Sequence, residues 1–167
     1  MRPGGHRGKI VRIREVRQDP MREVIPGRLW LGNVGDACIE NLSDAGICAV
    51  VDLALEAMPP VLPRTVVYCR FPIVDGRQSD RRCLRLAVET VASLLSREVP
   101  TLVFCGAGMS RSPSVVAAAW SLAHGGDPDH RLRQVVSGHP HDVSPPLWTA
   151  VREVCRESNV AARWPPR

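Results

Sequence analysis

Short, continuous apolar segments alternate along the chain with segments whose apolar residues recur every three to four positions. The continuous segments are ICAVVDLAL at 47–55, TVVYCRFPI at 65–73 and TLVFC at 101–105. The first of them is rich in Val and Ile and predicts a strand that is buried on both faces, the second predicts the next strand, and the third predicts another buried strand. GRLWLGN at 27–33 predicts a shorter strand closed by glycine and asparagine. Strands alternating with helices predict an α/β fold with a mostly parallel central sheet of about four to five strands, flanked by helices.

The polar segments between these strands carry helix signals. Apolar residues recur at helical spacing between Ser79 and Arg97. Asp36 is predicted to cap a short helix that runs through Leu42 and stops at Gly46. Three later segments have proline or an N-cap residue at the start, and the first two end in glycine: 112–126, 127–138 and 144–158.

Length and charge suggest how the chain is divided. Its 167 residues fit one domain, which we expect at 23–160, with a short tail at 161–167. Seven of the 22 basic residues lie in the first 22 positions, so 1–22 is predicted to be a loosely ordered basic arm. The alternating stretch KIVRIREV in this arm is also compatible with an edge strand. No nucleic-acid-binding motif accompanies the arm, so nucleic acid is not an expected partner.

The composition predicts a cytoplasmic protein. No apolar run approaches the ~18 residues that a membrane span needs, and the basic start lacks the apolar core of a secretory signal. None of the six cysteines forms a C-x-x-C pair, which is the common spacing of zinc ligands. We therefore expect thiols in a reducing compartment and no metal.

The segment TLVFCGAGMSRSPSVV at 101–116 predicts a phosphate-binding loop. Successive backbone N–H groups in a strand–loop–helix turn point into one concavity, and the helix adds the positive end of its dipole. Gly106 and Gly108 permit close approach of the backbone, and Arg111 can donate two hydrogen bonds to two phosphate oxygens. The same positive potential favours a thiolate at Cys105, which makes this residue a nucleophile.

The motif C-x-x-G-x-x-R-S, present as Cys105, Gly108, Arg111 and Ser112, resembles the signature of cysteine-dependent protein tyrosine phosphatases. The longer AG-x-SRSPS, with IPGRLWLGNVGDA upstream, is similar to dual-specificity phosphatases in particular. The resemblance covers about residues 24–157. It implies a dual-specificity phosphatase-like fold, and a catalytic domain at 23–160.

The resemblance also implies a role for each loop residue. Cys105 would attack phosphorus and carry a phosphocysteine intermediate, while Arg111 would hold the equatorial oxygens. Ser112 would hydrogen-bond the sulfur as it leaves, although it could also be a simple helix-terminus hydroxyl. No cofactor and no metal are implied. The phosphate-binding amides would come from the loop residues Gly106, Ala107, Gly108, Met109, Ser110 and Arg111.

A leaving phenolate or alkoxide needs a proton, so a general acid is required. The family places an aspartate on a loop after a strand, roughly thirty residues before the cysteine. Asp75 is 30 positions before Cys105, follows an apolar strand and precedes Gly76. Asp80 is the rival, although it could instead be a residue of the helix N-terminus. We favour Asp75, which could otherwise be only a turn former.

One position departs from the family pattern. The residue before the cysteine is usually histidine, which lowers the pKa of the thiol through hydrogen bonds, but here it is Phe104. A phenyl ring cannot donate a hydrogen bond. We therefore predict a higher thiolate pKa and slower turnover than is usual for the family.

The leading hypothesis is a cysteine-dependent hydrolase of phosphate monoesters on phosphoproteins, acting on phosphotyrosine, with phosphoserine and phosphothreonine left open. Family members that hydrolyse 3-phosphoinositides usually carry lysine in the loop, and this loop has no positive charge between Cys105 and Arg111. Two other hypotheses stay open. One is a phosphoprotein-binding module whose catalysis is weakened by Phe104, and the other is a sulfurtransferase or arsenate reductase with a similar loop.

Overall fold

The computed structural model of the chain describes residues 21–76 and 79–163. Nearly all of the predicted basic arm, including KIVRIREV, lies outside these residues, as do the last four positions of the predicted tail. The described chain enters a strand at Arg22, one residue before the domain boundary that we expected. The last helix extends to Arg163, into the segment that we expected to be tail.

Five strands form one sheet. In chain order they are β1 Arg22–Ile25, β2 Leu29–Asn33, β3 Ala49–Ala54, β4 Val67–Ile73 and β5 Thr101–Cys105. Their order across the sheet is β1-β2-β5-β3-β4. The pairs β2–β5, β5–β3 and β3–β4 are parallel, and only β1 runs antiparallel to its neighbour β2. The predicted mostly parallel α/β sheet is confirmed, and β1 is a strand that the sequence pattern did not predict.

Helices cover both faces of this sheet. Consecutive residues of a buried strand point to opposite sides, so the apolar side chains on each face need a covering layer. The helices are α1 Ile39–Asp44, α2 Arg81–Ser96, α3 Arg111–His124, α4 Pro128–Val136 and α5 Pro145–Arg163. On one face, Val103 and Cys105 of β5 pack with residues of the three long helices α2, α3 and α5. On the other face, Leu102 and Phe104 pack with the region around α1. None of the helices in the described residues is long and apolar enough to cross a membrane.

The prediction that Asp36 caps α1 is wrong. The N-cap residue is Cys38, and it makes no side-chain cap hydrogen bond. The Asp36 carboxylate instead accepts hydrogen bonds from the backbone amides of Asn33 at 2.7 Å and Met21 at 3.1 Å. These bonds fold the chain back on the end of β2, and the burial of the carboxylate raises the pKa of Asp36. The Asp36 carboxylate therefore makes a longer-range contact in place of the local cap, and no local sequence motif indicates that contact.

Candidate active site

The predicted phosphate-binding loop, residues 105–111, which we call the phosphate loop, connects the carboxyl end of β5 to the amino end of α3. Cys105 is the last residue of the strand and is 2% exposed, while Arg111 opens the helix and is 8% exposed. The structure therefore brings the predicted nucleophile and the predicted phosphate ligand to the two ends of one turn. In an open parallel sheet, this carboxyl edge is where ligands bind.

The loop lies tightly against the end of β2. Gly108 has φ 73°, and a Cβ atom at this position would stand 2.8 Å from the carbonyl oxygen of Gly32. The backbone amide of Val34 also donates a hydrogen bond to the carbonyl oxygen of Gly106 at 3.3 Å. Only glycine satisfies both the left-handed backbone and the close contact at position 108.

Arg111 is held by one carboxylate and two backbone carbonyls. Its Nη1 donates to Glu56 Oε2 at 2.7 Å and its Nη2 to Glu56 Oε1 at 2.5 Å. Nη1 also donates to the carbonyl oxygens of Leu53 at 3.4 Å and Ile73 at 3.2 Å. The paired carboxylate raises the pKa of Arg111, and the hydrogen bonds from Arg111 lower the pKa of Glu56 to about 2. The guanidinium is therefore fixed before any phosphate arrives.

The other edge of this guanidinium is free for a ligand. Glu56 occupies the edge formed by Nη1 and Nη2, which leaves the edge formed by Nε and Nη2. Four buried side-chain polar atoms lack a hydrogen-bond partner among the described residues, and two of them are Arg111 Nε and Ser112 Oγ. Buried donors without a partner are rare in folded proteins, so the two atoms at the start of α3 are suited to an acceptor that a ligand or a neighbouring group supplies.

Glu56 and Gly106 are sterically matched. A Cβ atom at position 106 would lie 2.3 Å from Glu56 Oε1 and 3.0 Å from Arg111 Nη2. Glycine at this position therefore leaves the volume that the Glu56 carboxylate needs to reach Arg111. The φ angle of Gly106 lies outside the left-handed region, so the close contact explains this glycine better than backbone conformation does.

Glu56 was not found by sequence reasoning. It lies two residues beyond the end of β3, and β3 is the parallel neighbour of β5. A carboxylate just after such a strand could have been a signal, because parallel strands end at the same edge. The backbone carbonyls of Ala54 and Ala57, on either side of Glu56, accept hydrogen bonds from Arg70 Nη2 at 3.2 and 2.7 Å.

The two candidates for the general acid have different surroundings. Asp75 Oδ1 accepts a hydrogen bond of 2.8 Å from the hydroxyl of Ser110, so its carboxylate lies against the phosphate loop. Asp80 is the N-cap of α2, and its carboxylate accepts a hydrogen bond from the backbone amide of Arg82 at 2.8 Å. Of the two aspartates, the structure brings Asp75 to the loop and leaves Asp80 as a helix cap.

Phe104 lies on the other face of the sheet from Cys105. Its side chain is 1% exposed and packs in the apolar cluster that contains Trp30, Leu42 and Leu102. A phenyl ring suits this environment because it brings no polar atom that would need a partner.

Among residues 21–76 and 79–163, no group of three or more His, Cys, Asp or Glu side chains could hold a metal ion. The loop HPHD at 139–142 is exposed. A phosphate at the loop would instead meet backbone amides and the Arg111 guanidinium.

Comparisons with known structures place this fold among phosphatases. A mouse putative dual specificity phosphatase, solved in complex with zinc tungstate, is 25% identical with a TM-score of 0.73, covering 92% of this chain and 97% of that one. Human DUSP28 is 24% identical with a TM-score of 0.68, covering 87% and 96%. PTPMT1 in complex with PI(5)P is 18% identical with a TM-score of 0.69, covering 86% and 99%. None of the curated proteins that were compared matches the chain.

A family model provides the assignment that these distant structures do not. The model described as "Polymorphic toxin system, DSP-PTPase phosphatase" matches residues 28–126, more than half of the chain. The matched range contains β2 to β5, the phosphate loop and α3. It confirms the resemblance to dual-specificity phosphatases, and the chain belongs to the DSP-PTPase phosphatase family of polymorphic toxin systems.

Proposed function

We propose that this protein hydrolyses phosphate monoesters on phosphoproteins through a phosphocysteine intermediate. The observation that carries the proposal is the pair of unsatisfied buried atoms, Arg111 Nε and Ser112 Oγ, at the same loop as the sulfur of Cys105. A phosphate dianion supplies the acceptor that the Arg111 edge lacks, and a thiolate supplies one for the Ser112 hydroxyl. Membership of a phosphatase family supports the same reaction class.

In the first step, the Cys105 thiolate attacks phosphorus, a sulfur–phosphorus bond forms and the bond to the ester oxygen breaks. Asp75 donates its proton to that leaving oxygen. Arg111 and the loop amides hold the three equatorial oxygens, whose charge they neutralise during transfer. The products are the free alcohol or phenol and phosphocysteine.

In the second step, water attacks the phosphorus of the intermediate while Asp75, now a carboxylate, accepts a proton from that water. The sulfur–phosphorus bond breaks and inorganic phosphate is released. The Ser112 hydroxyl donates a hydrogen bond to the departing thiolate, which makes it a better leaving group. The side chain of Ser112 is fully buried, which keeps water from competing for this bond.

The surface of the loop favours a phosphoprotein over a phosphoinositide. Between Cys105 and Arg111 there is no cationic side chain, and Met109 at the rim is 38% exposed. An apolar rim suits a tyrosine ring or an apolar peptide flank better than the additional phosphates of an inositol ring. The preference among phosphotyrosine, phosphoserine and phosphothreonine is an outcome of the assay below.

The mechanism is tested with p-nitrophenyl phosphate and with a phosphotyrosine, a phosphoserine and a phosphothreonine peptide. We expect turnover by the wild type, no measurable turnover by Cys105→Ser, and losses of about a hundredfold or more in Arg111→Lys and Asp75→Asn. Cys48→Ser is the matched control, because Cys48 is exposed and comes just before β3, at the opposite edge of the sheet from the loop. Turnover that survives Cys105→Ser would exclude the covalent mechanism.

The intermediate has a separate signature. Ser112→Ala should slow the second step more than the first, so rapid mixing should show a burst of p-nitrophenol close to one equivalent per enzyme. If the wild type binds a phosphopeptide without turning it over, the protein is a binding module instead. The family match does not favour that alternative, nor does it favour a sulfurtransferase or an arsenate reductase.

A further inference from the structure

The hydroxyl of Ser110 joins three segments that are distant in the sequence. It donates a hydrogen bond to Asp75 Oδ1 at 2.8 Å and accepts one from the backbone amide of Ser144 at 3.1 Å. Asp75 follows β4, Ser110 lies in the phosphate loop, and Ser144 precedes α5. Ser110 is 6% exposed, whereas Asp75 is exposed, so the Ser110 end of this network is shielded from water while the Asp75 carboxylate stays accessible to a substrate.

The donors and acceptors in this network can be assigned. A serine hydroxyl has one hydrogen, and it cannot give that hydrogen to the Ser144 amide, which is itself a donor. The hydroxyl hydrogen is therefore available for the carboxylate of Asp75. The backbone of Ser110 is held as well, because its carbonyl oxygen accepts hydrogen bonds from Ser114 Oγ at 2.8 Å and from the Ser114 amide at 3.1 Å.

Asp75 has no other hydrogen-bond partner for its side chain among the described residues. The chain beside it is a turn, since Gly76 has φ 131°. A carboxylate on such a segment can rotate freely unless something holds one of its oxygens. Ser110 is the residue of the described chain that does so.

We propose that the Ser110 side chain is a positioning residue for the general acid. This inference rests on the proposed function, in which Asp75 delivers the proton. Ser110 holds Oδ1 and thereby fixes the carboxyl group, which leaves Oδ2 as the oxygen that carries the proton to the ester oxygen of the substrate. The role belongs to the hydroxyl of Ser110, and it is separate from the contribution of its backbone amide to phosphate binding.

The test uses the dependence of kcat/KM on the leaving group. A general acid matters most for a poor leaving group such as phenol, whose pKa is close to the ~10 of tyrosine, and least for an acidic one such as p-nitrophenol. Ser110→Ala should lose about tenfold more activity on phenyl phosphate than on p-nitrophenyl phosphate. Ser110→Thr, which keeps a hydroxyl, should restore most of this difference. Ser96→Ala is the control, because that hydroxyl bonds only the Ala92 carbonyl on α2 among the described residues.

A double-variant cycle separates positioning from general damage. In an Asp75→Asn background, Ser110→Ala should cause little further loss, because there is no acid left to position. An equal loss in both backgrounds, or the same loss on both substrates, would overturn the role of Ser110. If Ser110→Ala lowers the melting temperature, the ratio of its activities on the two substrates still decides the question, because that ratio does not depend on how much of the variant is folded.

The two proposals fail in different ways. If Asp75→Asn does not increase the dependence on the leaving group, the assignment of the general acid is wrong and the proposed mechanism must change. If Asp75→Asn does increase it and Ser110→Ala does not, the mechanism stands and only the positioning role is overturned.

Discussion

Gly106→Ala tests whether the pairing of Glu56 with Arg111 depends on the absence of a side chain at position 106. The added Cβ atom would lie 2.3 Å from Glu56 Oε1, about 1 Å inside an ordinary contact. Glu56 is the flexible partner, since its side chain is 55% exposed, whereas that of Arg111 is 10% exposed. We expect the carboxylate to swing outward and the ion pair to break.

Gly106→Ala should therefore lower the free energy of unfolding by the amount that this ion pair contributes to it. A pKa lowered from 4.5 to about 2 corresponds to roughly 3 kcal/mol if it is converted in full. Because more than half of the Glu56 side chain meets solvent, screening reduces this to about 1 kcal/mol. Both Gly106→Ala and Glu56→Ala should thus lower the free energy of unfolding by about 1 kcal/mol. The double variant should also lose about 1 kcal/mol, because one ion pair cannot be lost twice.

Urea denaturation of the wild type, the two single variants and the double variant measures this coupling. The turnover of p-nitrophenyl phosphate in the same four proteins reports on the orientation of Arg111, because its guanidinium loses the Glu56 carboxylate in each variant. Gly138→Ala is the control glycine, because its Cβ would meet nothing within 4 Å, and its φ of 73° gives a strain cost that does not involve Glu56. Additive losses of about 2 kcal/mol in the double variant would refute the steric match between Gly106 and Glu56.

Three further predictions follow from the same region. Glu56→Gln should lower stability by about 1 kcal/mol above pH 4.5, and because the pKa of Glu56 is depressed, the difference from wild type should vanish as the pH falls toward 2 in urea titrations. Phe104→His should move the acidic limb of the kcat/KM profile to lower pH and cost about 2 kcal/mol of stability, since it places an imidazole in an apolar cluster. An unmoved profile would contradict the predicted effect of phenylalanine. Arg70→Met should lower kcat/KM, because it releases the backbone carbonyls of residues 54–57. It should also lower the free energy of unfolding by about 2 kcal/mol, because it leaves buried Asp52 without its cation. Activity assays and urea titrations measure the two effects. Unchanged activity in that variant would mean that Arg70 does not support Glu56.

The strands and long helices were predictable because their signals are local. A buried parallel strand needs a continuous apolar run, and β3 and β5 each have one. β4 has a similar run, although it lies at the edge of the sheet and only its last residue, Ile73, is buried. The missed strand β1 has four half-buried or exposed residues at an edge of the sheet, so its sequence REVI carries no burial pattern. Asp36 gave the wrong helix start because its carboxylate satisfies backbone amides elsewhere, which no local motif reveals.

The loop at 105–111 was also predictable, since Cys105, the glycines and Arg111 lie within seven consecutive residues. At such short range, the spacing of these residues along the chain largely fixes the shape of the turn. The role of Glu56 and the Ser110–Asp75 bond were not predictable from the sequence. Glu56 bonds Arg111, which is 55 positions away, and Asp75 bonds Ser110, which is 35 positions away. Their proximity depends on parallel strands that end at one edge of the sheet, and strand order is a property of the whole chain. The order of residues determined the candidate nucleophile and the loop around it, whereas only the folded sheet decided which carboxylates lie beside them.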